Sequence, residues 1–96
     1  MAEYQITYWR DFPSMVVVRE GDETVKVSLA NRFQEAIDEA AMRVGAADAD
    51  AYLDGWIRSD WMPATGDATE VAERISSELE NKLDAAALQE MLDKLS

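Results

Sequence analysis

Tyr4, Ile6 and Tyr8 alternate with Gln5, Thr7 and Trp9, the two-residue period of a half-buried strand, and predict β structure over about residues 4–9. Two further strands, at about 15–20 and 23–29, flank Gly21-Asp22. Glycine at the first central position of a two-residue loop suits a type II′ hairpin turn. That turn sets Val18 against Val25 and Val16 against Val27 on one apolar face. Val17 then opposes Lys26, and Arg19 opposes Thr24, on a more polar face. A slip of one residue would bury Lys26, so the register is strongly specified.

The spacing of apolar residues then turns helical. Phe33, Ile37, Ala40, Ala41 and Val44 form one stripe and predict a helix over about 32–44. Asn31 is placed to cap it, with Gln34 at the reciprocal position, and Gly45 can close it in a left-handed conformation. The stripe is the natural cover for the valine face of the hairpin. A short helix is predicted over about 50–58, with Asp48 or Asp50 at its N-terminus and Ala49, Leu53, Trp56 and Ile57 inward. Trp61-Met62-Pro63 breaks it.

From about 67 to 95 the chain again reads helical. Val71, Ile75, Leu79 and Leu83 step by four; Leu88, Met91, Leu92 and Leu95 follow in a shifted phase, and Asp84 before three alanines can cap a new helix. The fold class is therefore α+β, a three-stranded antiparallel sheet packed by two helices and followed by a C-terminal helical segment. The pattern divides the chain into a core domain over 1–62, a linker over 63–66 and an acidic segment over 67–96. That segment has three roles open to it: docking along its own domain, pairing with a second copy as a homodimer, or receiving a partner. It reads as an appendage and as the natural oligomerisation element.

Composition narrows the chemistry. The chain has 96 residues, 20 acids against 9 bases, a formal charge of −11, and neither cysteine nor histidine. Disulfides, thiolate metal sites and a cysteine nucleophile are excluded, and so are the commonest general base and metal ligand. Residues 44–96 carry twelve of the acids and four of the bases, so the charge is concentrated in the C-terminal half. Such a field repels nucleic acid and anionic membranes; it suits solubility or a basic partner. No N-terminal leader pattern or membrane-length apolar run is present, and cytoplasmic residence is expected.

Constellations that invite a catalytic reading fall short. Asp48, Asp50, Asp54 and Gly55 suggest a calcium loop, but Tyr52, Leu53 and Ser59 stand where the EF-hand needs a ligand, a glycine and a bidentate glutamate. Asp11 and Asp60 are one acid pair among many in so acidic a chain, with nothing to set their pKa values apart. Ser14, Ser28 and Ser59 have no histidine partner. No cofactor, metal or catalytic residue is expected, and the chain is expected not to be an enzyme.

Thr7-Tyr8-Trp9-Arg10-Asp11-Phe12-Pro13 is the densest stretch of large side chains. Tyr8 reads as core and Phe12-Pro13 as a corner, while Arg10 and Asp11 can pair or cap the turn. Trp9 points away from Tyr8 and Ile6 on strand alternation. Either Trp9, Trp56 and Trp61 pack together as a second small core, or Trp9, Arg10 and Trp61 form an exposed patch of interface-type residues. Tyr8, Trp9, Arg10, Asp11, Trp56 and Trp61 are the interaction or ligand-binding candidates.

The segments Ile6 to Pro13, Phe33 to Arg43 and Asp50 to Trp56 resemble, in order and spacing, the small bacterial "virulence factor" domain family. That family has a YWRD(I/F)P opening, an AIDxAAMRxG helix and a DxYLxxW segment. The resemblance covers about residues 5–60 and leaves 64–96 outside its pattern. It implies a small accessory protein near bacterial one-carbon metabolism, alongside methylenetetrahydrofolate reductase and corrinoid methyl-transfer proteins. The leading expectation is a non-catalytic accessory or interaction protein with a protein partner, binding neither nucleic acid nor membrane. The alternative is a ligand-binding or regulatory subunit of such a one-carbon enzyme. Tyr8, Trp9, Arg10 and Trp56 would then line the site, with Arg10 receiving a carboxylate such as a folate tail.

Overall fold

A computed structural model describes residues 2–45 and 48–95. Met1 and Ser96, the outer bounds of the expected domain and segment, lie outside the described residues, as do Ala46 and Ala47. The order of elements is β1 (Ala2–Trp9), β2 (Phe12–Glu20), β3 (Glu23–Ser28), α1 (Asn31–Arg43), α2 (Ala49–Asp54), β4 (Trp56–Arg58), β5 (Met62–Ala64), α3 (Ala68–Lys82) and α4 (Ala85–Asp93). The class is α+β, and the sheet is antiparallel throughout the described pairs.

The β2–β3 hairpin has the register its pattern predicts, with Val16 on Val27, Val17 on Lys26, Val18 on Val25 and Arg19 on Thr24. Gly21 has φ 58 and Asp22 is not left-handed, as a type II′ turn requires. The sheet has five strands rather than three, in the order β3-β2-β1-β4 with β5 also on β1. The extra strands come from the stretches read as the end of a helix and the start of a linker. Gly55 stops α2 after one and a half turns, and Trp56, Ile57 and Arg58 then pair with Trp9, Tyr8 and Thr7. Met62–Ala64 pairs with Ala2–Tyr4 farther along the same edge. Between them Ser59 takes the place of a strand: its N–H donates to the Ile6 carbonyl at 2.9 Å, and its Oγ accepts from the Ile6 N–H at 2.9 Å. The second edge of β1 is thus satisfied along almost its whole length, which backbone groups beside a core demand.

Strand β2 begins at Phe12, three residues before the predicted start. Thr7 pairs with Met15 but Tyr8 with Pro13, so Ser14 is an extra residue in β2. Proline lacks a ladder donor and is tolerated at such a bulge. The Ser14 carbonyl accepts from the Leu29 N–H at 3.0 Å, fastening the chain leaving β3.

The valine face is covered chiefly by α3, which lies against β2, β3 and β1, while α1 packs on β2 and on α4. The expected cover by the helices at 32–44 and 50–58 is thus met in part, by α1, while α3 takes the larger share. Of the roles open to the C-terminal segment, docking along its own domain is the one found. Val71, Ala72 and Ile75 of α3 and Leu88 and Leu92 of α4 join Val16, Val18, Phe33 and Ile37 in one core. Alanines at 68 and 72 let α3 approach the sheet closely. Full burial of each valine or isoleucine in this layer contributes about 1.5–3 kcal/mol.

Helix ends follow the acids. Asp48, Asp67 and Asp84 each accept a backbone N–H three residues on, from Ala51, Glu70 and Ala87, at 2.8, 2.8 and 2.9 Å. Residues 67–95 thus form two helices, separated at Asp84. Asn31 does not cap α1: the cap position is Ala30, without a side-chain bond, and Gln34 instead donates to Asp38 at 3.0 Å. Gly45 closes α1 with φ 76.

Candidate functional site

Trp9 sits at the end of β1, where Trp56 of β4 is its register partner. It is fully buried, at 0% exposure. Its indole N–H donates to the Tyr52 carbonyl at 2.7 Å, and its ring stacks on Tyr52 with centroids 5.8 Å apart. Tyr52 in turn meets Trp56 edge-on at 5.9 Å. Gly55 makes room for this cluster, since a Cβ there would overlap the Trp9 indole. Burial along β1 therefore passes from Ala2 and Ile6 to Trp9, while Tyr8 stays half-buried. Trp9 and Trp56 belong to a small aromatic core completed by Tyr52, and no ring contact joins Trp61 to them among the described residues. The exposed Trp9–Arg10–Trp61 patch is not formed.

Arg10 and Asp11 are the exposed tip of the β1–β2 hairpin. Arg10 is left-handed at φ 54, the one positive-φ residue other than glycine among those described. Its N–H donates to the Gly55 carbonyl at 2.8 Å, and its guanidinium lies 5.3 Å from the Trp9 ring centre. No ion pair joins Arg10 to Asp11 among the described residues. Tyr8 lies beside Ile57, and Tyr4 beside Met62, both half-buried against the core. Burial, with Tyr4 adding to it, raises the Tyr8 phenol above the ordinary tyrosine pKa.

Trp61 belongs to a different surface, the face of the sheet away from the helices. There a groove of about 440 Å³ is lined by Gln5, Thr7, Met15, Val17, Arg19, Thr24, Lys26, Arg58 and Trp61. Arg19 lies 3.9 Å over the Trp61 ring centre and contacts the Glu3 carboxylate at 3.4 Å. Lys26 and Arg58 have no acidic partner among the described residues. The groove wall thus carries three cations and no acid. A second hollow, of about 270 Å³, follows the seam of α1 and α4 and includes Glu35 and Glu39. Neither hollow is lined by Tyr8, Trp9, Arg10 or Trp56, so the pocket expected from those four is not among them.

Sequence reasoning missed Arg19, Lys26 and Arg58 as a group. Two of them were legible: the hairpin register already put Arg19 and Lys26 on the polar face. Arg58 joins them only through β4, whose pairing with β1 the helical spacing concealed. Among the described residues no three potential metal-ligating side chains cluster, and no helix is long and apolar enough to cross a membrane.

A family model described as "Virulence factor" matches residues 7–92. The match takes in α3 and most of α4, beyond the segment over which the sequence motifs resemble that family. No curated protein and no solved structure matches the chain.

Proposed function

The chain belongs to the virulence-factor family, and from its sheet surface we propose that it is a non-catalytic accessory protein that docks a partner protein through the uncovered face of the sheet. The observation that carries this reading is the groove over Val17 and Met15, edged by Arg19, Lys26, Arg58 and Trp61 on a chain of formal charge −11. Isolated exposed charges on a sheet are ordinary. Cations gathered on one face of so acidic a molecule, beside tryptophan and apolar floor, match the composition of interface hot spots. The chain's lack of histidine and cysteine supports a binding role over a catalytic one. The acidic helices on the opposite side keep the molecule soluble and orient it, presenting the basic face to an acidic partner.

Affinity capture from the native host with the tagged full-length chain tests the reading. A partner retained by the wild type and lost with Lys26→Glu/Arg58→Glu supports docking on this face. Capture undiminished by that double substitution places the docking surface elsewhere and removes the proposal.

A further inference from the structure

Resting on that reading of the sheet face, we infer that the groove's occupant is an extended acidic segment of the partner protein, with the pattern acid–spacer–apolar–spacer–acid, laid across the strands. The argument is one of spacing. Lys26 is on β3 and Arg58 on β4, at the two ends of the strand order β3-β2-β1-β4. Three strand spacings separate them, about 14 Å. Lys26 shares a row with Val17, which is one row from the Met15–Thr7–Arg58 row, so the diagonal is about 16 Å. That is a backbone separation: a single phosphate or carboxylate meets both cations only when both stems lean fully inward across the groove, whereas two acids meet them with the stems upright.

An extended peptide presents alternate side chains to one side, about 6.7 Å apart, so residues four apart are separated by about 13 Å. Lysine and arginine stems close the remaining gap. Acids at the two outer positions therefore reach Lys26 and Arg58, and the middle side chain falls on Val17 and Met15. Arg19 is already engaged by Glu3 and Trp61, so it walls the groove and supplies no free charge. Two unpaired cations on a molecule of formal charge −11 also disfavour a nucleic-acid backbone, whose binding needs many neutralised phosphates.

The test uses the full-length chain and fluorescein-labelled ten-residue peptides, read by anisotropy. The peptide with acids four residues apart and leucine between them should bind saturably, and binding should weaken with added salt. Lys26→Glu and Arg58→Glu should each weaken it at least tenfold, and the milder Lys26→Ala and Arg58→Gln at least threefold. Lys82→Glu, outside the groove, should change it less than twofold. Circular dichroism on each variant confirms that it folds. A peptide of the same composition with its two acids adjacent should bind at least tenfold more weakly. No saturation by millimolar peptide overturns the inference, as do equal binding of the adjacent-acid peptide, equal binding by the groove variants, or displacement by inorganic phosphate as effective as by unlabelled peptide. Partner capture separates the two levels. If capture depends on Lys26 and Arg58 while these peptides fail, the occupant's chemistry is wrong and the docking face stands. If capture is also indifferent to both cations, the face itself is wrong.

Discussion

The Trp9 indole lies where a side chain on Gly55 would have to be, and its N–H is bonded to the Tyr52 carbonyl at 2.7 Å. Gly55 has φ −75, an ordinary backbone angle, so glycine is needed there for space and not for conformation. Gly55→Ala should overpack this corner and cost about 1–3 kcal/mol. For a domain of this size that lowers the Tm by roughly 4–20 °C in a thermal melt. An unchanged melting curve would mean that the indole is not seated against the Gly55 backbone.

Arg10 sits in a turn position where glycine would be at ease. A left-handed conformation costs a non-glycine residue about 1–2 kcal/mol, and relief of that strain is partly offset by glycine's greater freedom in the unfolded chain, about 0.4–1 kcal/mol. Arg10→Gly should therefore be neutral or stabilising by up to about 1 kcal/mol, despite losing the guanidinium over Trp9. Urea denaturation reads this directly. A clear loss of stability would show that the Arg10 side chain holds the turn and that its backbone strain is minor.

How far the sequence disclosed this molecule depended on whether a signal was local. The β2–β3 register was legible because Gly21 fixes the turn and the valine pairs fix the face. The cap at Asp84 was legible, and that at Asp48 was narrowed to it or Asp50, because each acts on an N–H three residues away. Strands β4 and β5 were not, since three-residue strands carry too few positions to show a period and exist only because β1 has an edge to fill. Whether Trp9 packs in a second core or lies exposed is open in the sequence for a related reason. Alternation did set it apart from Ile6, but the element that encloses it, α2 with Gly55, arrives from more than forty residues away. Arg19 and Lys26 could be placed on one face from sequence, whereas their association with Arg58 and Trp61 required the tertiary fold.

Arg32 on α1 donates to the carbonyls of Glu80 at 2.8 Å and Leu83 at 3.3 Å, at the C-terminal end of α3. Those carbonyls have no partner within their own helix and carry the negative end of its dipole. Hydrogen bonds from a charged group contribute about 1.5–3 kcal/mol, and this fork couples two helices. Arg32→Ala should lower stability by about 1–3 kcal/mol in urea denaturation, and Arg32→Lys should recover only part of it, since one ammonium cannot reproduce the planar fork. Full rescue by lysine would reduce the interaction to its charge alone.

The Tyr8 phenol titrates above its unfolded value because burial, and secondarily Tyr4, disfavour the phenolate. With the folded pKa raised, the folded state holds its proton longer than the unfolded chain. The contribution to stability is complete below the ordinary tyrosine range near pH 10 and is lost as pH climbs through the folded pKa. Absorbance titration of the phenolates should therefore show a phase above the ordinary tyrosine range, and Tyr8→Phe should remove it. In the same variant the fall in Tm above pH 10 should be shallower than in the wild type. If the late phase persists in Tyr8→Phe, it does not belong to Tyr8, and the half-buried position of Tyr8 between Ile57 and Pro13 does not govern its ionisation.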